Sequence, residues 1–91
     1  MVNGTIYREY YLFDLPKGAI RLALVRRRCR LRYHLARVKM TQAELSRRTG
    51  YSPQQISNWV NNREHMNYES AATVAYVLTC HMEELYDLEW V

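Results

Sequence analysis

Residues 41–62, TQAELSRRTGYSPQQISNWVNN, constrain this chain more than any other stretch, because two helix-start signals bracket a single glycine. Thr41 followed three residues on by Glu44 is a capping box, in which the hydroxyl takes a free amide and the carboxylate reaches back to another. Gly50 tolerates the left-handed backbone that ends a helix. Ser52 with Gln55 repeats the capping pattern, and Pro53 sits at a first helical position, where its missing N–H costs nothing. The spacing predicts a helix over residues 42–48, a turn at Gly50 and a second helix from Pro53 to about Val60, stopping at Asn61 and Asn62. Two short helices joined this way form a helix-turn-helix. Ile56 and Trp59 carry the apolar period of the second helix and point inward. Pro53, Gln54, Ser57, Asn58 and Asn61 then face outward, with Gln55 at the margin.

The flanks are read in the same way. Asn67 caps a helix over residues 68–78 with an apolar face of Ala71, Ala72, Val74, Ala75 and Leu78, and Met82, Leu85 and Tyr86 add a further helical turn or two. Upstream, a helix is expected from about Arg26 to Lys39. Residues 19–25 stay open: Ile20, Leu22 and Leu24 alternate as a strand does, whereas Ala, Leu and Arg favour helix. Residues 5–13 (TIYREYYLF) are dense in aromatic and β-branched side chains and read as a strand, closed off by the turn signal DLPKG at residues 14–18. The expected organisation is an N-terminal aromatic strand and basic extension over residues 1–28, then a helical domain over residues 29–91.

Charge divides the chain sharply. Residues 1–40 carry ten Lys and Arg against two acids, and residues 41–91 carry three against seven, within a net charge of +4. A solvated face usually mixes signs, so a one-sided basic block points to a polyanionic partner, nucleic acid foremost; the alternative is a basic surface matched to the acidic C-terminal half of another copy. A hydrophobic content of 48% supports a packed core in a chain of single-domain size. No apolar run is long enough to span a membrane, and the N-terminus lacks the layout of a secretion signal. Two cysteines, Cys29 and Cys80, suit a reducing compartment, so a cytoplasmic protein is expected. Cys80 and His81, with Cys29, His34 and His65 scattered, match no metal-ligand spacing; core thiols and surface imidazoles are expected. No catalytic motif is present, so neither an enzyme nor a cofactor is expected. Glu83, Glu84, Asp87 and Glu89 read as a solvated helix face. Tyr86 and Trp90 read as the end of the core, or alternatively as a dimer contact.

Residues 41–62 resemble the helix-turn-helix of the lambda-repressor-like family of phage and bacterial regulators, also called Cro-like or XRE-type. Thr41-Gln42-x-Glu44-Leu45-Ser46, Thr49-Gly50-Tyr51-Ser52 and Ile56-Ser57-Asn58-Trp59 follow the family's pattern, and the likeness continues without a gap through residues 67–86. It covers about residues 29–88. Leu35 and Val60 stand where the family often has an Arg–Glu pair, and His34 stands where it usually has a core Leu. The resemblance implies a mainly α, five-helix domain, here with an N-terminal β-strand or hairpin extension.

The resemblance also implies roles. The second helix of the motif would lie in the DNA major groove, with Gln54, Gln55, Ser57 and Asn58 as base contacts; amides that both donate and accept suit the adenine edge. Gln42, Arg47, Arg48, Ser52, Asn61 and Arg63 would hold phosphates. Residues 1–28 match nothing in the family, so the Arg26–Arg32 cluster is read from charge alone: Arg26, Arg27, Arg28 and Arg30 would attract the backbone without reading sequence. The implied function is a sequence-specific regulator binding double-stranded DNA as a homodimer, a repressor by the family's habit. The alternative is an interaction module, adaptor or anti-repressor, that keeps the fold and engages a protein partner through residues 5–13, where amphipathic tyrosines suit an interface.

Overall fold

Four α-helices and a two-stranded antiparallel sheet make up the computed structural model, which describes residues 23–91. Strand β1 (Leu24–Cys29) leads into α1 (Leu31–Arg37), α2 (Gln42–Thr49), α3 (Pro53–Val60) and α4 (Tyr68–Leu78). A 3-10 turn (Met82–Leu85) and strand β2 (Tyr86–Trp90) follow. The strand expected over residues 5–13, the turn at 14–18 and residues 19–22 lie outside the described residues.

Several expectations are corrected here. Residues 26–28 are not the first turn of a helix; they lie on β1, and α1 begins at Leu31. Of the residues left open between strand and helix, Leu24 and Val25 are strand. The helix propensity of arginine is a weak preference, and the backbone pairing with β2 overrides it. Leu24 faces Trp90, Val25 faces Glu89, Arg26 faces Leu88 and Cys29 faces Tyr86. Between the last two pairs Arg27 and Arg28 together oppose Asp87, which is a β-bulge.

The second correction concerns the fifth helix. In its place stands the 3-10 turn, after which the backbone at Tyr86 is already extended (φ −139°, ψ 150°). Third, the four C-terminal acids share no helix face: Glu83 and Glu84 sit in the turn, and Asp87 and Glu89 on β2.

The helix starts follow from their caps. Thr41 Oγ1 accepts from Glu44 N at 3.0 Å, Ser52 Oγ from Gln55 N at 3.0 Å and Asn67 Oδ1 from Ser70 N at 2.7 Å. The Glu44 carboxylate pairs forward with Arg47 and Arg48. Gly50 ends α2 at φ +84°, the left-handed region glycine enters without a Cβ penalty.

The core joins all of these elements. Leu31, Leu45, Ile56, Val74, Leu78 and Leu85 are fully buried, with Trp59 and Met66 at 1% exposure. Leu35 and Val60 are both buried in the same cluster, so two apolar side chains fill the positions of the family's ion pair. Tyr86 belongs to the core, whereas Trp90 is half-buried on the sheet. His34, expected among surface imidazoles, is buried. Its Nε2 lies 2.7 Å from the Glu84 carbonyl and its Nδ1 accepts from Arg37 Nε at 3.3 Å, a pattern that one neutral tautomer satisfies. The imidazole thereby ties α1 to the 3-10 turn.

Candidate nucleic-acid interface

α2 and α3 are locked by their turn. Ser46 Oγ donates to the Tyr51 carbonyl at 2.7 Å, Thr49 Oγ1 to the Leu45 carbonyl at 2.8 Å, and the Tyr51 ring meets Trp59 edge-on at 5.1 Å. With Ile56, Trp59 and Val60 buried beneath it, α3 has one rotational setting. Pro53, Gln54 and Asn61 are exposed, while Gln55, Ser57 and Asn58 are partly covered.

The outward amides form a network rather than a set of free side chains. Gln54 Nε2 donates to Asn58 Oδ1 at 3.0 Å, and Arg63 donates to the same oxygen at 3.1 Å. Asn58 Nδ2 donates in turn to Glu64 at 3.4 Å. This leaves the Gln54 carbonyl and its second N–H open to solvent. Asn61 Nδ2 donates back to the Ser57 carbonyl at 2.9 Å, and its Oδ1 accepts from Arg32 at 3.3 Å. Ser52 accepts a backbone N–H through its oxygen, so its hydroxyl proton remains to be donated elsewhere. Gln42 is the first residue of α2, half-buried beside the cap.

The loop between α3 and α4 is held by the sheet. Asn62, in the left-handed region at φ +60°, accepts from Cys29 N through Oδ1 at 2.8 Å. Arg26 donates to the Met66 carbonyl at 2.9 Å and stacks over the Tyr86 ring at 4.9 Å. Met66 N donates to the Tyr86 hydroxyl at 2.9 Å. Burial pushes the Tyr86 hydroxyl and the Cys29 thiol up from their ordinary values, and it does the same to Cys80.

The structure divides the basic residues into different circumstances. Arg26 is committed to the loop, Arg27 pairs with Glu89 at 2.6 Å, and Arg30 lies 3.7 Å from Asp87 while stacking on Tyr33 at 4.3 Å. Arg47 and Arg48 share Glu44. Among the described residues, Arg26, Arg28, Arg32, Arg37, Lys39 and Arg63 have no carboxylate partner, and of these Arg26 and Arg37 each donate to a backbone carbonyl. Sequence reasoning passed over Asn62 as an anchor and Arg32 as a neighbour of α3, because both depend on contacts about thirty residues away in the chain. The only local signal was the Asn61-Asn62 pair after the helix. The described residues contain no group of His, Cys, Asp or Glu able to hold a metal ion, and no helix long and apolar enough to cross a membrane.

A family model for the Cro/C1-type HTH DNA-binding domain matches residues 30–89, from the residue before α1 to the penultimate residue of β2. No curated protein matches the chain.

Proposed function

The chain belongs to the Cro/C1-type helix-turn-helix DNA-binding family, and we propose that it is a sequence-specific transcriptional regulator that reads the major groove with α3. The observation that carries this reading is the α3 surface itself. Its buried side fixes the helix against α1 and α2, and its outer side offers neutral amides and hydroxyls, Gln54, Ser57 and Asn58, with Gln55 at the edge. Such groups discriminate base edges by hydrogen bonding, while the cationic groups lie around the helix and not on it. Gln42 and Ser52, at the starts of α2 and α3, present N–H and O–H donors where helix ends favour phosphate. Asn61 and Arg63 follow α3 on the same side.

Repression by occluding a promoter is the proposed mode, in the cytoplasm of a bacterium or during phage growth. Two copies on a symmetric site are the proposed assembly, since one short helix makes few base contacts and half-sites a helical turn apart double them.

Selection of bound sequences from random duplexes tests the reading, and a consensus with dyad symmetry is expected. On that consensus, Gln54→Ala or Asn58→Ala should weaken binding by roughly 1–3 kcal/mol with little effect on random DNA. Enrichment of no sequence, or Gln54→Ala and Asn58→Ala each leaving the specific-to-random ratio unchanged, would remove α3 as the reading helix.

A further inference from the structure

Beside the C-terminal end of α3 lies a concave surface of about 630 Å³, lined by Arg28, Arg30, Arg32, Tyr33, Asn61 and Asp87 among others. Three guanidinium groups face one carboxylate there. Asp87 is 3.7 Å from Arg30, and the Arg30 guanidinium carbon also lies over the Tyr33 ring, 4.3 Å from its centre. The Arg28 side chain makes no hydrogen bond or ion pair with any described residue. The Arg32 side chain gives one N–H to the neutral Asn61 amide at 3.3 Å and makes no other hydrogen bond or ion pair with a described residue.

The bulge explains why adjacent arginines behave differently. Arg27 and Arg28 oppose a single residue of β2, so the strand cannot alternate regularly through them. Arg27 reaches Glu89 along the sheet, and Arg28 is left at the rim of the concavity. A continuous hydrogen-bonded path, Ser57 to Asn61 to Arg32, then joins the outward side of α3 to this surface.

We propose that this concavity is a phosphate clamp, in which Arg28 and Arg32 grip the DNA backbone flanking the groove occupied by α3, while Arg26 and Arg27 contribute no phosphate contact. The clamp rests on the DNA-binding reading and names which part of the basic block serves it. Guanidinium groups that lack a carboxylate are free to make paired N–H bonds to phosphate oxygens. Asn61 holds Arg32 in place by a neutral contact that phosphate need not displace. Arg30, stacked on Tyr33 and facing Asp87, completes the wall.

The test uses the full chain and a 20-base-pair duplex of random sequence, with affinity followed by fluorescence anisotropy across a salt series. Glutamine keeps the stem and a donor for Asn61 but removes the charge. Arg28→Gln and Arg32→Gln should each flatten the slope of log K against log salt by about 0.9, and the double variant by about twice that. Arg27→Gln should leave the slope within error of the parent chain. Arg28→Lys with Arg32→Lys should restore it, since a point charge still displaces a counterion. Equal slopes for the parent and the double variant, or an Arg27→Gln loss as large as that of Arg28→Gln, would overturn the clamp. If a folding loss, read by circular dichroism, accompanies Arg32→Gln, the Arg28→Gln slope alone decides. Failure of the underlying reading looks different. A parent chain that binds random duplex but selects no consensus loses sequence specificity and keeps the clamp; one that binds no duplex loses both.

Discussion

Asn62 combines a backbone and a side-chain requirement in one residue. Its φ of +60° is tolerated by Asn and Gly far better than by other side chains, and its Oδ1 satisfies the Cys29 N–H at the bulge. Substitutions separate the two. Asn62→Gly keeps the conformation and loses the bond, so it should cost about 1 kcal/mol. Asn62→Ala adds left-handed strain and should cost a further 1 kcal/mol or so. Urea denaturation checks the pair, and equal midpoints would refute the strain component. Gly50 is the simpler case: a Cβ there would meet nothing within 4 Å, so Gly50→Ala should lose only the backbone cost, about 1 kcal/mol. Gly50 was legible in the sequence because its geometry is local. Asn62 was not, because its partner lies across the fold. Titration at this scale concerns Tyr86 and Cys29, both raised chiefly by burial. The unfolded chain releases these protons first, so stability is fully present below pH about 8.5 and falls as pH rises beyond the unfolded thiol and phenol values. The melting temperature should drop above about pH 9, and Tyr86→Phe should blunt the part of that drop above pH 10. An unchanged alkaline limb in that variant would assign the drop elsewhere.

At the scale of elements, helix starts were readable and the sheet was not. Thr41, Ser52 and Asn67 each cap within three residues of themselves, so chain order alone carries the information. β1 depends on β2, some sixty residues later, and a run of arginines gives no local sign that it will be paired. The same distance hid the fate of the charges. Arg27 and Arg30 meet Glu89 and Asp87 only once the strands have paired. Glu44 held a second surprise, since its carboxylate turns forward to Arg47 and Arg48 and not back to the cap. Both arginines are proposed phosphate contacts that must exchange this acid for DNA. Glu44→Gln should therefore strengthen binding to random duplex and steepen its salt slope, by up to about 0.9 for each arginine released. Anisotropy titrations across salt would show it, and a slope equal to that of the parent chain would mean that neither arginine reaches the backbone. The positions of Gln54 and Asn58 on the outward side of α3 were legible from the period of Ile56 and Trp59. Their mutual hydrogen bond suits the same spacing, since residues four apart on a helix are neighbours.

Across the whole molecule, the strands that bracket the helices meet. Val91 N donates to the Ala23 carbonyl at 3.0 Å, at the same end of the sheet as the pairing of Leu24 with Trp90. The chain thus enters and leaves the described domain side by side, and this geometry has a mechanical consequence. A load applied at residues 23 and 91 meets the sheet end-on, so its hydrogen bonds are strained one rung after another and never all together. The Val91–Ala23 bond would break first and Leu24 would then part from Trp90; Arg26 and Cys29 would follow, releasing Met66 and Asn62. Slack would reach the loop beyond α3 before any helix unwound. In an optical trap held at these two points, a low-force step should precede the main rip, and Asn62→Gly should leave that first step unchanged while lowering the force of the next. Tension between residues 23 and 91 would thus be transmitted to α3 through a hinge that opens rung by rung.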